Sequence, residues 1–190
     1  MAVPHSRLVL KNKTFACSHT RAHFNRRFER EGIESWRIDL LPLSRQTKDH
    51  LSLYSLMDIS LDPWPYAGPL LHSSSSAHAR CDVHAGTTTT CESFLMGVPC
   101  LTLAGKCHAQ NVGVSLIRAV GLDESWISTS IDNYVNTAVE KASDYHAVAE
   151  LRRQLRPLML QSDLCNAKDH VRRLEDAYRD MWKKWIREQQ

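Results

Sequence analysis

The sequence lacks the long apolar segments and the strong charge imbalance that mark membrane proteins and nucleic-acid-binding proteins. No apolar run approaches the ~18 residues that a membrane-spanning helix needs, and the amino terminus has no signal-peptide hydrophobic region. The formal net charge is only +3, and no aromatic–basic stripe accompanies it. We therefore expect no membrane and no nucleic acid among the partners.

The sequence also lacks the cysteine spacing of a disulfide framework. Most of its six cysteines lie inside apolar patterns, which is typical of buried, reduced thiols. The six are Cys17, Cys81, Cys91, Cys100, Cys107 and Cys165. This usage favours a cytosolic or nuclear protein over a secreted one.

The composition provides enough apolar material for a packed core. Of the 190 residues, 43% are hydrophobic and 24% are charged, so the chain is not disordered by composition. This length suits one domain, or one lobe of a larger protein.

Short apolar runs of strand type alternate with amphipathic segments along the chain. The predicted strands cover residues 7–11, 37–41, 57–61, 100–103 and 126–127, and the predicted helices cover 18–31, 47–54, 108–120, 132–143, 147–160 and 167–187. This alternation predicts right-handed βαβ units and a parallel sheet with helices on both faces, the α/β class. Ligands of such sheets bind at the carboxyl ends of the strands.

The last predicted helix carries a wide apolar stripe. Its members are Val171, Leu174, Tyr178, Met181 and Trp185, with Trp182 beside them. A helix packed on its own domain is the default interpretation of such a stripe. Docking on another lobe is the alternative, because so much aromatic surface left exposed favours aggregation.

Residues 86–105 predict a loop, a short helix, a turn at Gly97 and a buried strand. Four consecutive threonines open the helix, and a threonine hydroxyl is a good N-cap acceptor. The pair Thr89 and Glu92 also has the spacing of a capping box. Two interpretations stay open: an ordinary capped helix, or a helix amino terminus that binds phosphate.

Residues 69–86 interrupt the alternation with a serine tract and no periodicity. They contain four metal-type residues, His72, His78, Cys81 and His84, but a second tight pair is missing. We expect an irregular insertion here, and no metal site.

Several long motifs resemble the plant SPINDLY proteins, which are relatives of the O-GlcNAc transferases that modify Ser and Thr of nuclear and cytoplasmic proteins. They are RIDLLPL at 37–43, YSLMDISLD at 54–62, PYAG at 65–68, TTTTCES at 87–93, MGVPC at 96–100, HAQNVGVSL at 108–116, CN at 165–166 and AYRDMWKK at 177–184. The likeness covers nearly the whole chain apart from residues 69–86. In the family the PYAG motif runs straight into the threonines, so the inserted segment suggests translated intervening sequence.

The resemblance implies a GT-B glycosyltransferase, which has two Rossmann-like lobes and an upstream array of tetratricopeptide repeats. Residues 1–164 would be the Rossmann-like nucleotide-sugar-binding lobe, and 165–190 a carboxy-terminal amphipathic helix that packs on this lobe or on its missing partner. The repeats, the amino-terminal lobe with the expected catalytic residues, and a phosphate-contacting lysine would lie outside this chain. The family implies a location in nucleus and cytoplasm.

The resemblance also implies roles for particular residues. Thr87, Thr88 and Thr89 would hold the donor diphosphate, and Glu92 would receive the ribose hydroxyls. Residues 42–50 resemble the loop beside the base. The donor-binding residues of that loop would be Pro42, Thr47 and His50, and the residues near the sugar would be His108 and Asn111.

The implied reaction is an inverting transfer of a sugar from GDP-fucose or UDP-GlcNAc to a Ser or Thr hydroxyl, with no metal or other cofactor. Thr47 aligns with a lysine of the O-GlcNAc transferases, and this departure favours GDP-fucose. The alternative, from another class, is an inactive fragment that binds a nucleotide or a protein partner through its final helix. A lobe of a small-molecule glycosyltransferase is a third interpretation, which the YRDMW ending makes less favourable.

Overall fold

In the computed structural model, residues 2–62 and 87–189 are described. Five strands are present there: β1 (Leu8–Lys11), β2 (Ile38–Leu41), β3 (Ser60–Leu61), β4 (Cys100–Leu103) and β5 (Ile127–Ser128). Seven α-helices accompany them: α1 (Ser18–Arg30), α2 (Thr47–Ser52), α3 (Thr87–Leu95), α4 (Val112–Val120), α5 (Ile131–Ser143), α6 (Tyr145–Gln161) and α7 (Ala167–Glu188). Every predicted strand and helix of this part is found, most with bounds shifted by one to three residues.

All the strand pairs of the described residues are parallel. β1 pairs with β2 in one sheet, with Leu8 opposite Ile38. A second sheet has the order β3–β4–β5, with Ser60 opposite Cys100 and Thr102 opposite Ile127. The prediction of parallel sheets flanked by helices is therefore confirmed.

Strand β4 lies at the centre of the core, because all four of its residues are buried. Helices α3, α4, α5 and α6 pack around it or against one another. The buried cluster contains Phe94, Cys100, Leu101, Leu116, Ile117, Val120, Leu122, Trp126, Leu155 and Met159. The apolar run at 100–103 that predicted a strand is thus the strand with most burial.

Gly97 forms the turn between α3 and β4, as predicted. Its φ of +76° lies in the left-handed region, its amide donates to the Phe94 carbonyl, and the Val98 amide donates to the Ser93 carbonyl. This is the bonding of a helix that ends at a left-handed glycine. A Cβ at this position would lie 2.7 Å from the Arg152 carbonyl oxygen, so α6 approaches α3 closely here.

Two predictions need correction. Strand β3 has two residues rather than the predicted five, because residues 53–56 form a 3₁₀ turn and pairing with β4 begins only at Ser60. The expectation of buried cysteines holds for Cys100 but is wrong for Cys17, Cys107 and Cys165, which are exposed on turns and loops. No disulfide joins the cysteines of the described residues.

One prediction lies outside the described residues, namely the irregular insertion at 69–86 with its metal-type side chains. Within the described part of the chain, no helix is long and apolar enough to cross a membrane. The same part contains no group of three or more His, Cys, Asp or Glu side chains placed to hold a metal ion.

Helix α7 leaves its apolar stripe in contact with solvent. No residue of the helix is buried, and the stripe residues range from 43% exposed at Leu174 to 64% at Met181. Ion pairs three or four residues apart, such as Arg173–Asp169 and Arg179–Glu175, support the helix without tertiary packing. The default interpretation, a stripe packed on its own lobe, therefore does not hold for the described residues.

Candidate functional site

The four threonines form the first turn of α3. Thr87 and Thr88 are exposed, Thr89 is half-buried and Thr90 is buried. The first amides of a helix have no carbonyl partner within the helix, so the exposed turn offers N–H and hydroxyl donors together. That arrangement suits a phosphate group.

The predicted capping box between Thr89 and Glu92 is wrong. A capping box needs Thr89 at the position just before the helix. Thr89 is instead the third residue of α3, so Glu92 lies three residues beyond the position that the box requires. The Glu92 carboxylate instead accepts hydrogen bonds from two side chains outside α3, one in α2 and one in the 3₁₀ turn at residues 53–56. His50 Nε2 lies 2.8 Å from Glu92 Oε2, and the Tyr54 hydroxyl lies 3.3 Å from the same oxygen.

A third side chain extends this cluster to the other sheet. Lys11, the last residue of β1, places its Nζ 2.5 Å from Nδ1 of His50. His50 packs edge-on against the Tyr54 ring, with the ring centroids 5.7 Å apart. The result is a chain of contacts, Lys11–His50–Glu92–Tyr54, which we call the Glu92 cluster.

Burial shifts the pKa values of two members of the cluster, Tyr54 and Lys11. Burial, reinforced by the nearby Glu92 carboxylate, raises the pKa of Tyr54, so the phenol stays protonated and acts as a donor. Burial also lowers the pKa of Lys11, and the attraction of Glu92 opposes this shift. The side chains of His50 and Glu92 keep 31% and 26% of their surface exposed, so a ligand can still reach them.

Sequence reasoning found His50 and Glu92 but missed Lys11 and Tyr54. For Lys11 one signal is present: a lysine closes an otherwise apolar strand at the carboxyl end, where α/β proteins bind ligands. Tyr54 is buried, and its hydroxyl also donates toward the Thr89 carbonyl at 3.3 Å. It therefore connects α3 to the 3₁₀ turn at residues 53–56.

The other two residues predicted for the loop beside the base, Pro42 and Thr47, are both exposed. Pro42 is exposed just after β2, and Thr47 is the exposed first residue of α2, one turn before His50. Among the described residues, no hydrogen bond joins either of them to the Glu92 cluster.

The predicted sugar-side residues lie in the loop after β4. Asn111 uses its side chain to hold this loop: Nδ2 donates to the carbonyls of Gly105 and Cys107, both at 2.9 Å, and Oδ1 accepts from the Gly105 amide at 3.1 Å. His108 is exposed at the start of a 3₁₀ turn in the same loop. Asn111 thus shapes the loop that presents His108.

Sequence reasoning also missed a polar cluster at the carboxyl end of β3. Thr102 Oγ1 donates to Asp62 Oδ2 at 2.7 Å, and the Tyr134 hydroxyl donates to the Asp62 carbonyl at 3.1 Å. Burial raises the pKa of the Asp62 carboxyl, and the Thr102 hydrogen bond opposes the shift. A Cβ at Gly113 would meet Asp62 Oδ2 at 2.7 Å, so α4 begins directly against this carboxyl.

Sequence comparison finds SPINDLY proteins over nearly the whole chain. The SPINDLY protein of Hordeum vulgare is 49% identical over 184 residues, which are 97% of this chain, and that of Arabidopsis thaliana is 48% identical over 186 residues, or 98%. The chain is a segment of a SPINDLY-type protein. It spans 18% of the length of these relatives, both of which are named probable UDP-N-acetylglucosamine–peptide N-acetylglucosaminyltransferases.

A solved structure extends the relationship of this SPINDLY-type segment to the O-GlcNAc transferases. A mutant of the Thermobaculum terrenum O-GlcNAc transferase matches it with a TM-score of 0.78 and 31% identity, over 96% of this chain and 31% of that one. No family model matches the segment. The predicted α/β fold of a GT-B glycosyltransferase lobe is confirmed by this structural match.

Proposed function

We propose that this segment is the donor-binding lobe of a protein O-glycosyltransferase. The parent protein would transfer a sugar from GDP-fucose or UDP-GlcNAc to Ser and Thr of nuclear and cytoplasmic proteins. The observation that carries the proposal is the Glu92 carboxylate, which His50 and Tyr54 hold one turn beyond the exposed threonines of α3. The similarity to SPINDLY proteins and to an O-GlcNAc transferase supports the same function.

The amino terminus of α3 would hold the donor diphosphate. Thr87 and Thr88 are exposed there, so their hydroxyls and the free amides of the first turn are accessible to a ligand. The partial positive charge of the helix terminus favours an anion by about 0.3–2 kcal/mol. Thr89 is half-buried and contributes mainly through its backbone.

The nucleoside would extend from the diphosphate along α3. Glu92 lies about one turn from Thr88, and its carboxylate would accept from the ribose hydroxyls. The base would then lie toward α2, beside His50, with Thr47 and Pro42 on the same side. His108 would face the sugar from the loop that Asn111 holds in place.

The leaving diphosphate would be stabilised by α3 rather than by a metal. An acceptor hydroxyl would attack the anomeric carbon from the opposite face, which inverts the configuration. The helix terminus contributes about 0.3–2 kcal/mol, whereas enzymes lower barriers by about 8–23 kcal/mol. The other lobe must therefore supply the general base and further donors, and the segment alone is expected to transfer no sugar.

Isothermal calorimetry of the purified chain with GDP, GDP-fucose, UDP and UDP-GlcNAc tests the proposal. We expect one nucleotide pair, guanosine or uridine, to bind in preference to the other, because the base would lie against residues of α2. The preferred pair identifies the donor. Binding of none of the four compounds would contradict the assignment as a donor-binding lobe.

A protein-docking role for α7 is a second candidate function, favoured by its exposed stripe. Trp182 and Trp185 stack on each other with ring centroids 5.2 Å apart, and both are more than half exposed. The segment spans 18% of its relatives' length, so most of a SPINDLY-type protein lies outside it. We propose that the remainder of that protein covers the stripe.

A binding assay tests this docking. The partner is the Hordeum vulgare SPINDLY protein without the region that matches this segment. The wild-type segment is expected to bind it, and the double variant Trp182→Lys, Trp185→Lys to lose at least about tenfold in affinity, since buried tryptophans dominate interfaces. The matched control is Lys183→Ser, Lys184→Ser, on exposed positions of the same helix. Equal binding by both double variants would rule out docking through the stripe.

A further inference from the structure

Lys11 lies in a different sheet from the one beside Glu92. It closes β1, whereas Glu92 belongs to α3, beside the sheet of β3, β4 and β5. Only side chains connect them in the Glu92 cluster: Lys11 Nζ contacts His50 Nδ1 at 2.5 Å, and His50 Nε2 contacts Glu92 Oε2 at 2.8 Å. Lys11 is half-buried, so its ammonium group is partly withdrawn from water.

The chemistry of the two contacts fixes the position of the histidine proton. A lysine ammonium group has three donors and no acceptor, so Nδ1 of His50 must accept from Lys11. A neutral imidazole has one donor and one acceptor nitrogen, and its proton is therefore on Nε2. Nε2 then donates to the Glu92 carboxylate, which agrees with the observed contact.

The two donors of the cluster leave one oxygen of Glu92 available to a ligand. His50 and the Tyr54 hydroxyl both donate to Oε2. Within residues 2–62 and 87–189, no hydrogen bond goes to the other oxygen, Oε1. One oxygen thus anchors the carboxylate to the protein, while the other is left to accept from outside.

We propose that Lys11 is a positioning residue of the nucleotide site. It holds His50 as the neutral Nε2–H tautomer, and His50 in turn holds Glu92 with Oε1 directed to the ribose hydroxyls of a nucleoside diphosphate. The ligand part of this inference rests on the proposed function, whereas the tautomer part does not. Lys11 acts through His50 and does not itself touch the ribose.

The charge balance supports the same arrangement. Lys11 is positive and Glu92 is negative, so a neutral His50 between them leaves the cluster without net charge. Without the lysine ammonium group, no donor faces Nδ1, so the single imidazole proton is no longer confined to Nε2. The Nδ1–H tautomer, in which Nε2 cannot donate to Glu92, then becomes accessible.

Nitrogen NMR of the chain labelled with ¹⁵N-histidine tests the tautomer directly, with His50→Gln used to assign the signals. We expect an unprotonated Nδ1 and a protonated Nε2 for His50 in the wild type. In Lys11→Met the Nδ1 signal should move toward the protonated position, and Lys11→Arg, which keeps the charge and the donors, should restore it. Lys13→Met is the matched control, since this exposed lysine is two residues away.

Titration of the same variants with GDP and UDP tests the effect on the site. Lys11→Met is expected to bind the preferred nucleotide about tenfold more weakly than the wild type, and Lys13→Met equally well, because one hydrogen bond of Glu92 loses its alignment. Equal affinity of Lys11→Met and Lys13→Met would contradict a positioning role.

Measurements on the wild type test the His50 tautomer and the ribose contact of Glu92 separately. A His50 protonated on Nδ1 in the wild type would overturn the inference even if Lys11→Met failed to fold. A wild type with the expected tautomer that binds no nucleotide would instead contradict the proposed function, and with it the ribose contact.

Discussion

Replacing Glu92 with alanine is expected to weaken the binding of the preferred nucleotide about a hundredfold. The carboxylate would accept from two ribose hydroxyls, and a hydrogen bond to a charged group contributes about 1.5–3 kcal/mol. The change also removes the carboxylate that accepts from His50 Nε2 and from the Tyr54 hydroxyl. Calorimetry with GDP and UDP measures the loss.

Two further variants make this result specific. Glu92→Gln keeps the shape and an acceptor oxygen but removes the charge, so its affinity should fall between those of the wild type and Glu92→Ala. Glu124→Ala removes an exposed glutamate that pairs with Arg118, and it should bind like the wild type. If Glu92→Ala bound as tightly as Glu124→Ala, the carboxylate would have no part in nucleotide binding.

Gly97→Ala is expected to lower the free energy of unfolding by about 2–5 kcal/mol. Two costs add. The backbone φ of +76° disfavours any residue with a Cβ, and that Cβ would lie 2.7 Å from the Arg152 carbonyl oxygen, a backbone atom of α6 that cannot simply rotate away. Urea unfolding followed by far-UV circular dichroism gives the difference.

Gly32→Ala is the matched control for this clash. Gly32 has nearly the same φ, +75°, but a Cβ there would meet nothing within 4 Å. Its cost should therefore be only the conformational part, about 1–2 kcal/mol. Equal destabilisation by the two variants would mean that α6 does not press on the turn after α3.

Local patterns predicted the elements well because each pattern depends on nearby residues. The apolar run at 100–103 is the buried strand β4, and Gly97 and Gly121 end α3 and α4 in left-handed conformations, as turn chemistry requires. The helix beginning at the threonines was likewise predicted from their capping preference.

Contacts between distant residues were not predictable from such patterns. Lys11 and His50 are 39 positions apart, and His50 and Glu92 are 42 apart, so only the tertiary fold brings them together. The capping-box prediction failed for the same reason: a local partner was inferred for Glu92, whereas the fold supplies two distant ones. The roles of Thr87, Thr88 and Thr89 stay predictions.

Helix α7 shows the limit of periodicity in another way. Its apolar stripe was recognised from spacing, but spacing does not say what covers a stripe. The structure leaves it exposed along 22 residues, with local ion pairs to keep the helix formed. Periodicity identifies the apolar face of the helix, whereas the surface that covers this face must be found by experiment.

Amide chemical-shift mapping tests the central claim, that the start of α3 and the Glu92 cluster form a nucleotide site. The ¹⁵N-labelled chain is titrated with GDP and, separately, with UDP. We expect the largest shifts on the amides of Thr87, Thr88 and Thr89, followed by those of His50 and Glu92. Saturable shifts confined to other parts of the chain, or no shifts with either nucleotide, would contradict this claim.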